Sequence, residues 1–197
     1  MENLEYLNRE IIEPLAKCIG LRLDKIVYSD FGSQEELTTD NDGVDIISYQ
    51  AILKFESEKR IYFSWNSVSV WDHYTISVSE KTFIEKDPDQ VYEVKSKFTR
   101  FLVGKQLTGF GIFGYQKNQW TETHENGKKI VKTFFNQPHL IVLDIEGMLL
   151  GFANFYREEN FVPKLPMGDD VWVIYSEDHI NNYIEIFGFE ELYKYSK

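Results

Sequence analysis

Four histidines, one cysteine and scattered carboxylates are the residues from which this chain of 197 could build chemistry. A two-histidine metal site needs its imidazoles one turn apart on a helix or opposed in a hairpin. His73, His124, His139 and His179 meet neither spacing and are expected at the surface. His179 follows Glu177 and Asp178, an oxygen-rich cluster, but acids at a helix start act more simply as caps. His73 beside Asp72 reads the same way. TDNDGVD (39–45) invites a calcium reading; with Gly43 in sixth place, an EF-hand loop would begin at Thr38 and end at Tyr49, neither a carboxylate. A turn is expected there. GFGIFG (109–114) continues as strand and does not open a helix, so it is no phosphate loop. No G-x-S-x-G occurs, and Cys18 lies on an apolar stripe, where an inert thiol is expected. Asp144 and Glu146 share one strand face beside a hairpin and could do acid–base work, yet such positions are ordinarily solvated. No catalytic residue, cofactor or metal is assigned.

The elements that must hold these residues point to an α+β fold of mainly antiparallel sheet. Leu4, Leu7, Ile11, Leu15 and Cys18 recur at helical spacing; Pro14 predicts a kink or restart and Gly20 the end. Strands are expected over 21–31, over DIISYQAILKFES paired with RIYFSWNSVSV, and over YTISVSE. A second helix is expected from Asp87, with Pro88 and Gln90 completing its start, Val91, Val94, Phe98 and Phe101 as its stripe, and Gly104 as its end. Then come a glycine-loosened strand, a hairpin at Asn126-Gly127, a tight turn at Glu146-Gly147, the strand DDVWVIYSE, and a helix with Ile180, Tyr183, Ile184 and Phe187 on one side and Asp178 as cap.

This order runs similarly twice, through residues 1–86 and again through 87–197, two α+β halves expected to pack as one compact unit. GLRLDKIVYSDF lies against GKQLTGFGIFGY, and DHYTISVSE (72–80) against DDVWVIYSE (169–177), which suggests an internal duplication. The copies differ on one face. Thr75, Ser77 and Ser79 suit solvent, whereas Trp172 and Ile174 make the late strand apolar on both sides and therefore central. The first half is expected to be the more exposed.

Aromatic and acidic residues in short connections are the binding candidates, since interaction hot spots combine Trp, Tyr and Arg with a polar surround. They are Trp71, Tyr156, Glu158, Glu159, Asp169, Asp170, Glu177 and Asp178. Net charge is −11, distributed unevenly: residues 97–143 carry seven bases against two acids, and both flanking segments are acidic. Such a balance repels nucleic acid and attracts a basic protein. There is no apolar run of membrane-spanning length, no basic-then-apolar leader and no second cysteine for a disulfide, so a cytoplasmic, non-membrane protein is expected.

The helix ended by Gly20, the tight hairpin LDIEGMLLGFAN and the acid-led strand DDVWVIYSEDH together resemble the immunity proteins of bacterial polymorphic-toxin systems. That resemblance implies a non-enzymatic α+β protein that binds and neutralises a cognate toxin. The alternatives are a regulatory or small-ligand module with a cleft between its halves, and a carboxylate-dependent enzyme.

Overall fold

The structure is a computed structural model that describes residues 2–32, 37–40, 43–68, 71, 73–82, 90–123, 127–157, 163–164, 168 and 170–196. The chain opens with α1 (Glu2–Tyr6), which passes through a π-helical stretch, Leu7–Ile12, into α2 (Glu13–Ala16). The kink expected at Pro14 takes this form. Proline lacks an N–H and its ring crowds the preceding turn, and a wider turn relieves that crowding. Leu7, Ile11, Leu15 and Cys18 are buried along the helix face.

Two antiparallel sheets follow. The first contains β1 (Leu23–Asp30), β4 (Gln50–Phe55), β5 (Arg60–Val68), β6 (His73–Ser79) and β7 (Gln90–Glu93), in the order β6-β5-β4-β1-β7. The second contains β2 (Thr38–Asp40), β3 (Val44–Ile47), β8 (Leu107–Thr123), β9 (Lys129–Ile145), β10 (Met148–Ala153), β13 (Val171–Ile174) and β14 (Glu190–Ser196), in the order β14-β8-β9-β10-β13-β3-β2. A small ribbon pairs β11 (Tyr156–Arg157) with β12 (Pro163–Lys164). DIISYQAILKFES is thus two strands: at Ser48-Tyr49 the chain leaves one sheet for the other. The boundary at 86/87 does not divide the sheets, because β2 and β3 join the second and β7 joins the first.

One apolar core lies between the sheets, with Leu53, Ile61 and Phe63 of the first meeting Ile141, Leu143, Phe152, Val171 and Val173 of the second. On the far face of the second sheet, Trp172, Ile174, Leu140 and Val142 pack under Ile180 and Tyr183 of α4 (Glu177–Phe187). The strand alternation sends odd and even residues of β13 into different cores. β13 is accordingly buried on both faces and sits between β10 and β3, as its composition predicts. Ser176, not Asp178, caps α4 by accepting from the His179 N–H. Gly188 closes the helix in the left-handed region (φ 62°).

The expectation of a solvent-facing β6 is overturned. Thr75 and Ser77 are buried, as are Ile76 and Val78, and the Thr75 hydroxyl donates to the Pro138 carbonyl of β9. The second predicted helix is also corrected. Asp87 and Pro88 lie outside the described residues, Gln90–Glu93 is a strand, and only α3 (Thr99–Leu102) is helical. Val91 and Tyr92 suit a pleated surface, and the open edge of β1 gives them a partner that no local pattern announces. Ser96 and Thr99 brace the turn before α3 reciprocally, each backbone N–H donating to the other's hydroxyl.

The two halves share a meander, β1-β4-β5-β6 and β8-β9-β10-β13. Leu23–Lys25 and Leu107–Gly109 carry the same register shift. The strand starts also bond to one another around the Arg22–Gln106 bridge: Gly20 N–H to Leu107 O at 2.8 Å matches Gly104 N–H to Leu23 O at 2.7 Å. The ladders pair Phe63 with Val78 and Phe152 with Val173, and counting from the shared shift makes Phe63 the counterpart of Phe152. Val78 then corresponds to Val173, so the letter match of DHYTISVSE with DDVWVIYSE is two residues out of register. With the opening helices unlike as well, an internal duplication is not confirmed.

Beyond their partners in the body, the outer parts of β8 and β9 pair, among the described residues, with each other alone and form a two-stranded ribbon, the β8–β9 arm. Lys117, Lys129 and Lys132 lie on it, three of the seven bases of the basic segment. Trp71 and Phe134, with Tyr6 and Trp120 against them, fix its base.

Candidate functional site

Among the described residues, the binding candidates do not converge on one face. Trp71 is fully buried; its indole N–H donates to the Phe135 carbonyl at 3.0 Å and its ring meets Tyr6 edge-on. The exposed connection expected around it is therefore corrected: it belongs to the root of the arm. Tyr156 is exposed, in the ribbon opposite Lys164. Asp170 is half-buried at the entrance of β13, while Glu177 and Asp178 stand exposed beyond its exit. At about 3.3 Å per residue, those two acidic positions are on the order of 20 Å apart. Glu158, Glu159 and Asp169 lie outside the described residues.

The carboxylates weighed for acid–base work each accept a backbone N–H. Asp144 accepts from the Gly147 N–H at 2.7 Å within its own turn, and Glu146 from the Gln106 N–H at 3.1 Å just before β8. His139 is not at the surface: it is fully buried, edge-on to Tyr115 and stacked on Phe189. Among the described residues, no three His, Cys, Asp or Glu side chains are grouped to hold a metal ion, and no helix is long and apolar enough to cross a membrane.

Glu177 does line a groove, with residues that the sequence does not mark as binding candidates. α3 and the segment before it supply Phe98, Phe101 and Leu102; the β9–β10 turn supplies Gly147, Met148 and Leu149; the approach to α4 supplies Tyr175 and Glu177. Phe101, expected on a buried stripe, is 66% exposed at its rim. Phe98 stacks on Tyr175 with centroids 5.4 Å apart, and Lys97 Nζ sits 4.7 Å over the Phe98 ring, so this face already accommodates a cation. Gly43 admits the Phe98 ring from below, since a Cβ there would meet its Cζ at 3.0 Å.

Beneath the groove runs a buried polar network that no single stretch of sequence reveals. Tyr175 is half-exposed as a residue, yet its hydroxyl is sunk and lies 2.6 Å from the Tyr28 hydroxyl. The Tyr28 hydroxyl also lies within hydrogen-bonding reach of Asp45 Oδ2, at 2.8 Å, so two phenols and one carboxylate share this buried cluster. Burial pushes both phenols well above the usual tyrosine value, Tyr28 and Tyr175 alike, and the Asp45 charge adds to it. Tyr92 packs edge-on to Tyr28, its hydroxyl raised by burial and then by Asp30 and Asp45. Asp30 is held in turn by the Phe31 and Ser48 N–H groups. Strands from both sheets are thus bolted together under one floor residue, Tyr175, and a pre-set floor spares a bound partner the cost of ordering it.

The groove lies wholly within residues 98–177, and two other surface pockets lie within 24–60 and 4–13; none of these three spans the two halves. Comparison with protein-family models, curated proteins and solved structures finds no match.

Proposed function

We propose that this protein is a non-enzymatic binding module for a basic protein partner, and that the aromatic groove with Glu177 at its edge is where the partner docks. The observation that carries this reading is Phe101, a large apolar ring exposed beside Phe98, Tyr175 and a carboxylate. Aromatic anchors on a rigid support with an acid at the rim suit an apolar or arginine side chain from a basic surface. The remaining acidity of the body speeds encounter with such a partner. Within this reading, the resemblance to polymorphic-toxin immunity proteins makes a toxin domain the expected partner and neutralisation the expected consequence.

The test places a photo-crosslinking residue at Phe101 in the source cell and identifies what it captures. The expected result is a basic protein whose activity the purified chain suppresses. Phe101→Ser and Glu177→Lys should each abolish suppression without lowering the Tm. Suppression unchanged in both variants would overturn the groove as the docking site.

A further inference from the structure

The β8–β9 arm has two unlike faces. On one, Phe134 and Trp120 turn toward Trp71 and Tyr6. The other is built by Lys117, Gln119 and Thr121 directly across from Phe135, Thr133 and Val131, and it is exposed at all six positions. Val131 and Phe135 are 59% and 49% exposed there. A two-stranded ribbon is marginal in water on its own, and an apolar face left bare on one marks a place for a cover.

What lies beside this face defines the shape of the cover. Tyr115 packs into the cluster under α4, and its hydroxyl donates to the Phe187 carbonyl at 3.0 Å. Lys117 follows Tyr115 by two residues, so the bare face of the arm continues the sheet face that α4 covers. Where the helix stops, the surface steps down onto uncovered strands. From Lys117 to Thr123 they run about 20 Å, enough to seat a second helix like α4, whose 11 residues span about 16 Å.

Charge then selects which helix. Residues 115–137 carry four lysines against two glutamates, and the rest of the chain carries 17 bases against 30 acids. On the bare face Lys117 stands at the root and Lys129, opposite Thr123, toward the tip, while Glu122 pairs with Ile130 on the other face. Two arms laid on each other would oppose lysine to lysine. The outward side of α4 is the complement: Asp178 and Glu185 stand two turns apart with Asn181 and Asn182 between them, all exposed, and Ile186 is 62% exposed alongside. From Glu177 to Glu191 there are five acids and no lysine or arginine.

We propose that the bare face of the arm docks α4 of a second copy of this chain, and that the two copies do so reciprocally, closing a two-fold dimer. Because the arm face and α4 lie side by side on one face of the sheet, turning a second copy over sets each beside the other's counterpart. Val131 and Phe135 meet Ile186, and Lys117 and Lys129 reach the acids of the helix. The contact leaves Phe101 and its groove aside and does not rest on the docking role proposed for them.

Sedimentation velocity of the intact chain over a range of concentrations tests this. A monomer–dimer equilibrium that tightens as salt is lowered is expected. Phe135→Ser should weaken it about tenfold, the loss of one exposed aromatic anchor. Lys117→Glu with Lys129→Glu should abolish it, and so should Asp178→Lys with Glu185→Lys. Mixing these two charge-reversed proteins should restore a dimer, because each reversed face then finds its opposite; recovery on mixing separates a lost contact from a lost fold. A chain that stays monomeric at about 1 mM in low salt would overturn the proposal. So would association unmoved by Phe135→Ser, charge-reversed proteins that do not recover on mixing, or a photo-crosslinker at Thr133 that captures a different acidic protein and not this chain.

Discussion

Phe63 and Phe152 stack face to face between the two sheets, with centroids 3.7 Å apart and planes 8° from parallel. They occupy corresponding places in the two meanders, so the centre of the core is one residue type meeting its own counterpart. Phe152→Ala removes half of that stack from a site with no exposure, at a cost of about 3–5 kcal/mol. Urea denaturation should show the midpoint falling with an unchanged slope.

Trp71→Ala is expected to behave as a core mutation. It loses a buried ring and an indole hydrogen bond at the root of the arm, about 3 kcal/mol or more. Hydrogen exchange should show the amides of the β8–β9 arm opening first. A fully stable variant would contradict the packing described for Trp71.

Gly114→Ala should destabilise the arm where it leaves the body. A Cβ there would collide with the Gln137 carbonyl oxygen, at a point where the β8–β9 register shifts. Backbone cannot move aside as a side chain can, and an overpacking cost of about 1–3 kcal/mol follows. Calorimetry of the variant measures it.

Alkali should weaken the fold. Tyr28 and Tyr175 are raised well above their usual 10.0, and Cys18 from 9.0 to about 12, chiefly by burial. Each is held protonated in the folded state, so the unfolded chain binds fewer protons above these ordinary values. Stability from these groups is whole below about pH 9 and is lost as the pH climbs. Denaturation midpoints at pH 8 and 10.5 should show the fall, and Tyr28→Phe should make it shallower. In the native protein at pH 8, Cys18 should resist alkylation, and urea should expose it.

Much of the second sheet can be read from the chain because its signals are local. Trp172 and Ile174 between Val171 and Val173 announce a strand covered on both faces, and the spacing of Ile180, Tyr183 and Phe187 with Gly188 behind it announces α4. What is hidden depends on partners distant in sequence. Val91, Val94, Phe98 and Phe101 keep helical spacing, yet the open edge of β1 draws Gln90–Glu93 into a sheet and leaves Phe101 exposed. Asp45 reads as a turn acid, and only the meeting of Tyr28 with Tyr175 makes it a buried acceptor. The groove escapes notice for the same reason: its walls come from three separated segments, and of these residues the sequence marks only Glu177 for binding.

The crossing at Ser48-Tyr49 has a consequence for the order of events during synthesis. Every residue of Val44–Ile47 is buried, and Val171–Ile174 is its partner on the inner side of the sheet. More than a hundred residues must be made between the two. At roughly 5–20 residues per second, this apolar strand waits on the order of ten seconds after leaving the ribosome before its slot exists. Val44–Ile47 cannot complete its sheet ahead of Val171–Ile174, and the nascent chain carries an unsatisfied sticky segment until that strand is built.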